Sequence, residues 1–445
     1  MLKALFLWYD LYQVGGVETD MWLLGRNLPQ LGVDPFFLQM KGDGPLVDRF
    51  ASLSDRILTI PYQAYTSPRQ CHHAWSHAAA AIAADIVVIN DRFGWEVLPF
   101  LPPHIRVAVI YHIFDRGSTM RQQAVKNAER ISAHIANSEV TAEQLHEGLP
   151  AYLDRIHVIH CGIDVPAWAD CRKPDLGERV NILYAGRLIE GQKRVMNLVP
   201  FIAALGERLG DRVHVTIAGD GADAARLRDA LASQPPHRYT MTGPVGPEQV
   251  DALQRAAHFW ISFSDHEGIP MSLREALASG AVPITTRAEG VPDSFLSEGV
   301  NARHFPLDRP DLAADIITEL AQAPERWARM SEAGRRLGEV RDGVAMAADY
   351  ARVLQAACES ARGTHGDIAS HDPAVTGRIA SLQANVDRRQ DRLARAWADQ
   401  DRALELRALG RRTAPLVLFG RSLITEPRIL FTRRTAGCLR RVFGH

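Results

Sequence analysis

The sequence has 445 residues, enough for two domains of ordinary size, and its formal net charge is −1. No apolar stretch is long enough to span a bilayer, and the N-terminal apolar run is too short for a signal peptide. Scattered cysteines argue against a disulfide framework and a zinc site, and they fit a reducing cytosol: Cys71, Cys161, Cys171, Cys358 and Cys438.

The first predicted element is a buried strand over 2–9, followed by the loop DLYQVGGVE and an amphipathic helix. Gly15 and Gly16 lie in this loop. Because they have no side chain, the backbone can come close to a bulky ligand such as a phosphate or a sugar. Most glycine pairs are simple turns, so this pair alone does not define a site.

Further short apolar runs predict strands, and helical segments separate them. This alternation is typical of an α/β fold with a doubly wound parallel sheet. His112 ends one of these strands, at the carboxyl edge where such folds bind ligands. A lone histidine is nevertheless more often a satisfied polar residue than a catalytic one. The predicted strands cover 35–40, 56–60, 86–90, 106–112, 134–137 and 156–160.

A histidine-rich segment over 71–77 contains His73 and His77, whose spacing allows them to share one helix face. No acidic third ligand lies beside them in the sequence. We therefore predict a surface helix rather than a metal site, with an exposed wall for an acceptor as the alternative interpretation.

A linker predicted over 164–178 leads to a second set of strands and helices, which begins with a strand over 180–184. Arg187 and Lys193 follow this strand. Two cations at this place can clamp a diphosphate and stabilise a negative leaving group. Isolated basic residues are more often solvated surface charges, so this interpretation depends on the neighbouring motifs.

The segment HFWISFSDHEGIPMSLREALASGAVPITT, residues 258–286, predicts a strand, helix, strand unit. Pro270 suits the start of the helix, and Gly280 suits the left-handed position after its end. The helix therefore begins at the carboxyl edge of the sheet, where free N–H groups and the helix dipole favour an anion. Glu267 and Glu275 flank this helix end and suit sugar and ribose hydroxyls, although a solvated helix face is the simpler explanation of two glutamates.

This glutamate pair resembles the signature of the retaining family 4 glycosyltransferases, and the resemblance continues in order over roughly the first 360 residues. It implies a GT-B fold of two Rossmann-like, doubly wound parallel-sheet domains. We predict an acceptor-side domain over 1–163 and a nucleotide-sugar domain over 179–362. The other stretches that resemble the family are the glycine loop, residues 136–164, the Arg-Leu and Lys at 187–193, and Gly-Val-Pro at 290–292.

The resemblance also implies roles for single residues. His112 and Glu267 are predicted to orient the donor sugar. Arg187 and Lys193 are predicted to stabilise the leaving group, and Arg194 is the alternative to Lys193, because the usual Lys-Gly order of the family is changed here. Further contacts with the nucleotide sugar are predicted for Gly15, Gly16, Gly243, Val245, Gly268, Ile269, Pro270, Met271 and Glu275, the last of which holds the ribose.

The predicted reaction moves a sugar from a nucleoside-diphosphate sugar to a hydroxyl of a glycan or lipid-linked acceptor, with retained anomeric configuration. No metal, cofactor or nucleic-acid partner is predicted, and the oligomeric state is left open. Two alternatives stay open beside this prediction. One is a non-catalytic scaffold that binds sugar nucleotides, and the other is a sugar phosphorylase or epimerase of similar fold.

Residues 363–373 are predicted to be a linker, and 374–445 a basic helical extension outside the resemblance. The extension holds 15 arginines and 6 acidic residues, a net charge of +9, which leaves −10 for the rest of the chain. From 415 onward, apolar residues alternate with arginine clusters, a pattern that suits an anionic membrane surface. Peripheral contact with the inner face of the membrane is one interpretation, and a packed helix or a partner-binding tail are the others.

Overall fold

The structure is a computed structural model, and its described residues form two α/β arrangements, each built on a parallel sheet. No helix within these residues is long and apolar enough to cross a membrane. The described residues are 1–12, 15–61, 64–65, 67–90, 94–112, 119–164, 168, 170–177, 179–267, 269–288, 291, 295–340, 342–359, 381–388, 391–392, 395–396 and 399.

Seven strands form the first sheet: β1 (Leu2–Leu7), β2 (Val33–Gln39), β3 (Ile57–Thr59), β4 (Ile86–Asn90), β5 (Arg106–Tyr111), β6 (Ala133–Ala136) and β7 (Ile156–Val158). Their order across the sheet is β3-β2-β1-β4-β5-β6-β7, and the pairings described for it are parallel. The order reverses between β1 and β4. The carboxyl ends of these two strands therefore form a topological switch point, where open α/β sheets bind ligands.

Six strands form the second sheet: β8 (Val180–Ala185), β9 (Val213–Ala218), β10 (Tyr239–Gly243), β11 (Phe259–Ser262), β12 (Val282–Thr286) and β13 (Arg303–Phe305). The order is β10-β9-β8-β11-β12-β13, and the pairings are again parallel. Here the switch point lies between β8 and β11.

Twelve α-helices lie within the described residues up to 359, and short 3₁₀ segments connect several elements. The α-helices are α1 (Gly16–Asn27), α2 (Pro68–Ala81), α3 (Thr119–Lys126), α4 (Glu139–Gly148), α5 (Glu190–Lys193), α6 (Leu198–Leu209), α7 (Ala224–Leu231), α8 (Pro247–Ala256), α9 (Met271–Ser279), α10 (Pro310–Ala321), α11 (Pro324–Val340) and α12 (Gly343–Glu359). The 3₁₀ segments are Leu28–Leu31, Ala51–Arg56, Trp95–Phe100, Ala128–Arg130, Leu153–Arg155, Val195–Asn197 and Gly210–Arg212.

Strand β11 shows why both faces of the second sheet are covered. Successive side chains of a strand point to opposite faces. Phe259 and Ile261 belong to an apolar core that includes Phe201 of α6. Trp260 belongs to a second core that includes Leu273 of α9. A parallel strand buried on both faces appears in the sequence as a continuous apolar run, which is the pattern that identified this strand.

Helix α9 begins and ends where the sequence predicts. Pro270 is its N-cap, with φ −60° and ψ 140°. Gly280 follows its last residue with φ +85°, in the left-handed region that favours glycine. A Cβ at Gly280 would also lie 2.8 Å from Ser331 Oγ, so this position rejects a side chain on two grounds.

The two sheets confirm the predicted fold class. Several strand ends differ from the sequence prediction by one or two residues, and two differences concern the elements themselves. Strand β5 ends at Tyr111, so His112 follows the strand instead of ending it. The short strand β13 was not predicted, because three residues provide no apolar run and the strand exists through its pairing with β12.

The described residues divide into two compact units, one formed by 1–12, 32–108 and 354 onward, the other by 13–31 and 109–353. The predicted boundaries of the two domains and their linkers stay a prediction.

In the first unit, residues 381–388 are helical, and Thr59 N donates a 2.9 Å hydrogen bond to Gln383 Oε1. The alternation of apolar residues and arginines from 415 onward lies outside the described residues.

Candidate active site

The loops that follow β8 and β11 meet at the switch point of the second sheet. Asp265 N donates to Gln192 O at 3.0 Å, and Gln192 Nε2 donates to His266 O at 3.0 Å. These two hydrogen bonds join the short helix α5 to the loop after β11. They bring a lysine of the first loop to a glutamate of the second.

Glu267 is held by two side chains. Its Oε1 atom forms an ion pair with Lys193 Nζ and accepts a 2.7 Å hydrogen bond from Ser264 Oγ. The lysine and glutamate side chains are 13% and 9% exposed. Thr286 Oγ1, at the end of the neighbouring strand β12, also fixes this loop by donating a 2.6 Å hydrogen bond to Ser264 O. The Glu267 carboxylate is thus pre-oriented at the carboxyl edge of the sheet.

The two candidate cations at the end of α5, Lys193 and Arg194, have different partners. Lys193 contacts Glu267, whereas Arg194 donates through Nε to Asp265 Oδ2 at 2.7 Å. Arg194 adopts a left-handed conformation with φ +47°, which turns it away from the direction of Lys193. Arg187 is exposed and donates to Gln192 Oε1 at 3.1 Å. Three of the predicted transfer residues, Arg187, Lys193 and Glu267, therefore lie in one hydrogen-bonded loop pair.

Close backbone packing fixes the loop that carries Arg187. A Cβ at Gly219 would lie 1.9 Å from Gly186 O, and one at Gly221 would lie 2.3 Å from Leu188 O. Gly219 also has φ +137°. Only glycine fits at Gly219, so the turn after β9 packs directly against the loop after β8.

A cleft opens beside Glu267. Its wall includes Trp260, Pro270 and Leu273, and its polar lining includes Ser262 and Thr286. The pKa of Tyr184 is raised mainly by burial and, to a smaller extent, by the charge of Glu267. The Tyr184 hydroxyl donates a 2.9 Å hydrogen bond to Arg187 O. The space in this cleft is about 20 Å³, well below the roughly 300 Å³ of a typical small-molecule site.

The first turn of α9 lies at the same edge as Glu267. The first N–H groups of a helix have no partner within the helix, and Pro270 provides no side-chain cap. Ile269 is 5% exposed and belongs to the apolar core, so its predicted ligand contact would have to use backbone atoms. Glu275 is half-buried on α9, and Gly268 lies outside the described residues.

The glycine loop lies close to polar and apolar neighbours of its own unit. A Cβ at Gly15 would lie 2.2 Å from Glu18 Oε2, and one at Gly16 would lie 3.3 Å from the Cβ of Met271. The absence of side chains therefore allows α1 to begin against the first residue of α9. Gly16 and Met271, both predicted contact residues, are brought together.

The other predicted residues lie at strand ends. Half-buried His112 directly follows β5. Gly243 ends β10 with φ +72°, and Val245, two residues later, packs against the apolar core that includes α9. Each of the three is at a carboxyl edge, as predicted, and their roles stay predictions.

The residue before His112 takes part in a buried pair that the sequence did not indicate. Tyr111 Oη and His134 Nδ1 are hydrogen-bonded at 2.7 Å, and both side chains are buried. Burial raises the pKa of Tyr111 and lowers the pKa of His134 to about 3, with the charges of Arg155 and His157 lowering it further. The pair is therefore neutral at pH 7.

A second feature that the sequence did not indicate is Arg274 in α9. Its side chain is 2% exposed, and its Nη1 atom donates to Gly162 O at 2.6 Å and to Asp20 Oδ1 at 3.3 Å. Arg274 directly precedes Glu275. No role was predicted for Arg274 from the sequence, because its buried partner Asp20 lies on α1, 254 positions earlier in the sequence.

The histidine pair His73 and His77 lies exposed on α2, with ring centroids 4.4 Å apart. Among the residues whose placement is described, no group of three or more His, Cys, Asp or Glu side chains is arranged to hold a metal ion.

Two parallel doubly wound sheets, with a cation–carboxylate pair at the switch point of the second, define the class of GT-B glycosyltransferases. Residues 14–166 match the family described as Glycosyltransferase Family 4, and residues 171–337 match Glycosyl transferases group 1. The chain belongs to this family of glycosyltransferases, and its activity is the transfer of a glycosyl group.

Relatives and solved structures agree with this assignment. The chain is 24% identical to alpha-monoglucosyldiacylglycerol synthase of Streptococcus pneumoniae over 355 residues, which is 72% of this chain and 78% of that protein. It is 30% identical over 214 residues to GDP-mannose:cellobiosyl-diphosphopolyprenol alpha-mannosyltransferase of Xanthomonas oryzae pv. oryzae, which is 46% of this chain and 54% of that protein. The structure of Anabaena HepE in complex with UDP-glucose has a TM-score of 0.66 at 16% identity, covering 80% of this chain and all of HepE, and it shows the same fold.

Proposed function

We propose that this protein is a retaining hexosyltransferase that moves a sugar from a nucleoside-diphosphate sugar to a hydroxyl of a glycan or lipid-linked acceptor. The observation that carries this proposal is the Glu267 carboxylate, fixed by Lys193 and Ser264 at the switch point of the second sheet. A carboxylate that is already oriented can accept hydrogen bonds from sugar hydroxyls without reorganising during the reaction.

Charge at the leaving group supports the same proposal. Transfer releases a nucleoside diphosphate, so negative charge develops on the phosphate oxygen that leaves. Lys193, Arg187 and the first N–H groups of α9 all lie at this edge of the sheet and can stabilise that charge. These groups provide the positive charge that a metal ion provides in other transferases, so we propose a metal-independent reaction without a cofactor.

His112 and Glu275 complete the proposed donor site by family resemblance. His112 would orient the sugar from the end of β5, and Glu275 would hold the ribose from within α9. Retention of configuration also follows from the resemblance to the retaining enzymes. No protein nucleophile is assigned, and the acceptor would attack from the face of the leaving group.

The relatives support the classes of donor and acceptor. HepE is seen with UDP-glucose, and the Xanthomonas relative takes its sugar from GDP-mannose. The names of the two relatives describe a glucosylated diacylglycerol and a sugar-carrying diphosphopolyprenol. A lipid-linked acceptor for this chain fits both names, and a cytoplasmic location with peripheral membrane contact through residues 374–445 is part of the same proposal.

The proposal is tested first by calorimetry with UDP, GDP, UDP-glucose and GDP-mannose, with a chelator present throughout. We expect one nucleotide and its sugar to bind selectively. If none of the four binds, the proposed donor site is refuted, and a sugar phosphorylase of similar fold becomes the better explanation.

The stereochemistry is tested on the product. With an α-linked donor sugar and a matching acceptor, proton NMR of the product should show an α linkage. A β-linked product would refute retention while leaving glycosyl transfer itself established.

A further inference from the structure

We propose that Arg274 is a positioning residue for glycosyl transfer, which holds the glycine loop of α1 against the first turn of α9 through its contact with Asp20. The inference rests on the proposed donor site, because it explains how two predicted donor-binding segments keep a fixed spacing. It assigns no direct contact between Arg274 and the substrate.

The two helices meet along matched faces. On α1, Gly16, Asp20 and Leu23 are spaced to share one face, and on α9 the same holds for Met271 and Arg274. A Cβ at Gly16 would lie 3.3 Å from the Cβ of Met271, and Asp20 Oδ1 lies 3.3 Å from Arg274 Nη1. Successive residues on the shared face of α1 therefore contact successive residues on the shared face of α9, beginning at Gly16.

The same arginine also fixes a third segment. Arg274 Nη1 donates to Gly162 O at 2.6 Å, and Gly162 packs so closely against Gly343 that a Cβ at Gly162 would lie 2.7 Å from the Cα of Gly343. On the α1 side, a Cβ at Gly343 would lie 2.8 Å from Leu23 Cδ2. Arg274 and Asp20 are thus a charged pair within a close-packed, glycine-rich junction.

Both side chains of the Arg274–Asp20 ion pair are buried. Arg274 is 2% and Asp20 is 6% exposed at the side chain. Removing one partner of such a pair leaves a buried charge without compensation, whereas replacing both by apolar residues is often tolerated. The single variant loses both stability and the contact between the helices, whereas the double variant can recover stability without recovering that contact. Comparing the two variants therefore separates fold stability from helix positioning.

The decisive experiment compares the parent with Arg274→Met, with the double variant Asp20→Leu/Arg274→Met, and with Arg274→Lys. We expect Arg274→Met to lower the Tm by about 10 °C and the double variant to recover most of that loss. If Arg274 positions the glycine loop, kcat of the double variant stays about 10- to 100-fold below the parent despite the recovered Tm. Arg274→Lys, which keeps the charge, should recover part of kcat.

A purely structural role gives the opposite result, because kcat of the double variant then returns with its Tm. The matched control is Arg208→Met, which removes another Arg–Asp pair of 2.6 Å that joins α6 to α10. This control should leave kcat and the affinity for the nucleotide unchanged.

Hydrogen exchange separates this inference from the proposed function. Amides of residues 19–23, whose N–H groups are bonded within α1, should lose protection in Arg274→Met and in the double variant, but not in Arg208→Met. Unchanged protection would overturn the inference even if the parent is an active transferase. Lost protection would support the junction even if no nucleotide sugar binds to the parent, a result that refutes only the proposed donor.

Discussion

Two polar pairs in this chain differ in where the sequence places them. Tyr111 and His134 lie on strands β5 and β6 of the first sheet and are buried and neutral at pH 7. Lys193 and Glu267 lie at the end of a short helix and in a loop at the edge of the second sheet, and they form an ion pair.

The difference shows which polar residues are available for chemistry. A side chain within a sheet is surrounded by neighbouring elements, so its hydrogen bond replaces water and stabilises the fold. A side chain in a loop at a switch point borders a cleft, and its partners orient it without covering it completely. Position relative to the strand end, rather than residue type, therefore separates the two roles.

The largest effect is expected from the loop pair. Glu267→Gln removes the charge but keeps the shape, and we expect kcat to fall on the order of 10³-fold with little change in nucleotide affinity. The measurement is steady-state transfer together with calorimetry. Glu298→Gln, at an exposed glutamate that pairs with Arg303, is the control and should leave kcat unchanged. Normal turnover in Glu267→Gln would remove this carboxylate from the reaction.

The strand pair should affect stability and its pH dependence. His134 has a folded-state pKa of about 3 against an ordinary value of 6.5, because burial disfavours its charged form. The unfolded chain therefore binds the proton more readily, and the free energy of unfolding falls as the pH is lowered from 6.5 towards 3, by on the order of 4 kcal/mol. Above 6.5 this contribution is constant.

Urea unfolding of the parent at several pH values measures this slope. The double variant Tyr111→Phe/His134→Leu removes the titrating group and its hydrogen-bond partner together, so it should lose this part of the pH dependence. Its kcat at pH 7 should stay within about twofold of the parent, because no reacting group is changed. An identical slope in parent and variant would contradict the assignment.

A smaller effect separates two adjacent cations. Lys193→Met removes the partner of Glu267, and we expect nucleoside-diphosphate affinity or kcat to fall about 10- to 100-fold. Arg194→Met is the matched control, because its guanidinium contacts Asp265 instead, and it should change either quantity less than about threefold. If the two variants are equally impaired, Lys193 has no special position in the site.

Most of the fold followed from apolar runs in the sequence. Strands buried on both faces, such as β11, and the Pro270 and Gly280 ends of α9 were predicted because their signals are local. The Glu267 loop was also predicted, since its residues lie within one short motif. The Arg274–Asp20 pair was not, because its partners are 254 positions apart and each looks like a solvated helix residue when considered alone. Lys193 was ranked ahead of Arg194 from the family motif alone, and the structure gives the two cations different partners because the backbone at Arg194 is left-handed.

The hydrogen bond between Thr59 and Gln383 has a consequence for shortened forms of the chain. Strand β3 is an outer strand of the seven-stranded sheet, and Gln383 satisfies one of its outward N–H groups. A chain that stops before this helix presents an uncapped strand border, which is a template for adding a strand from another molecule. Residues 381–388 therefore cover part of the outer border of the first sheet.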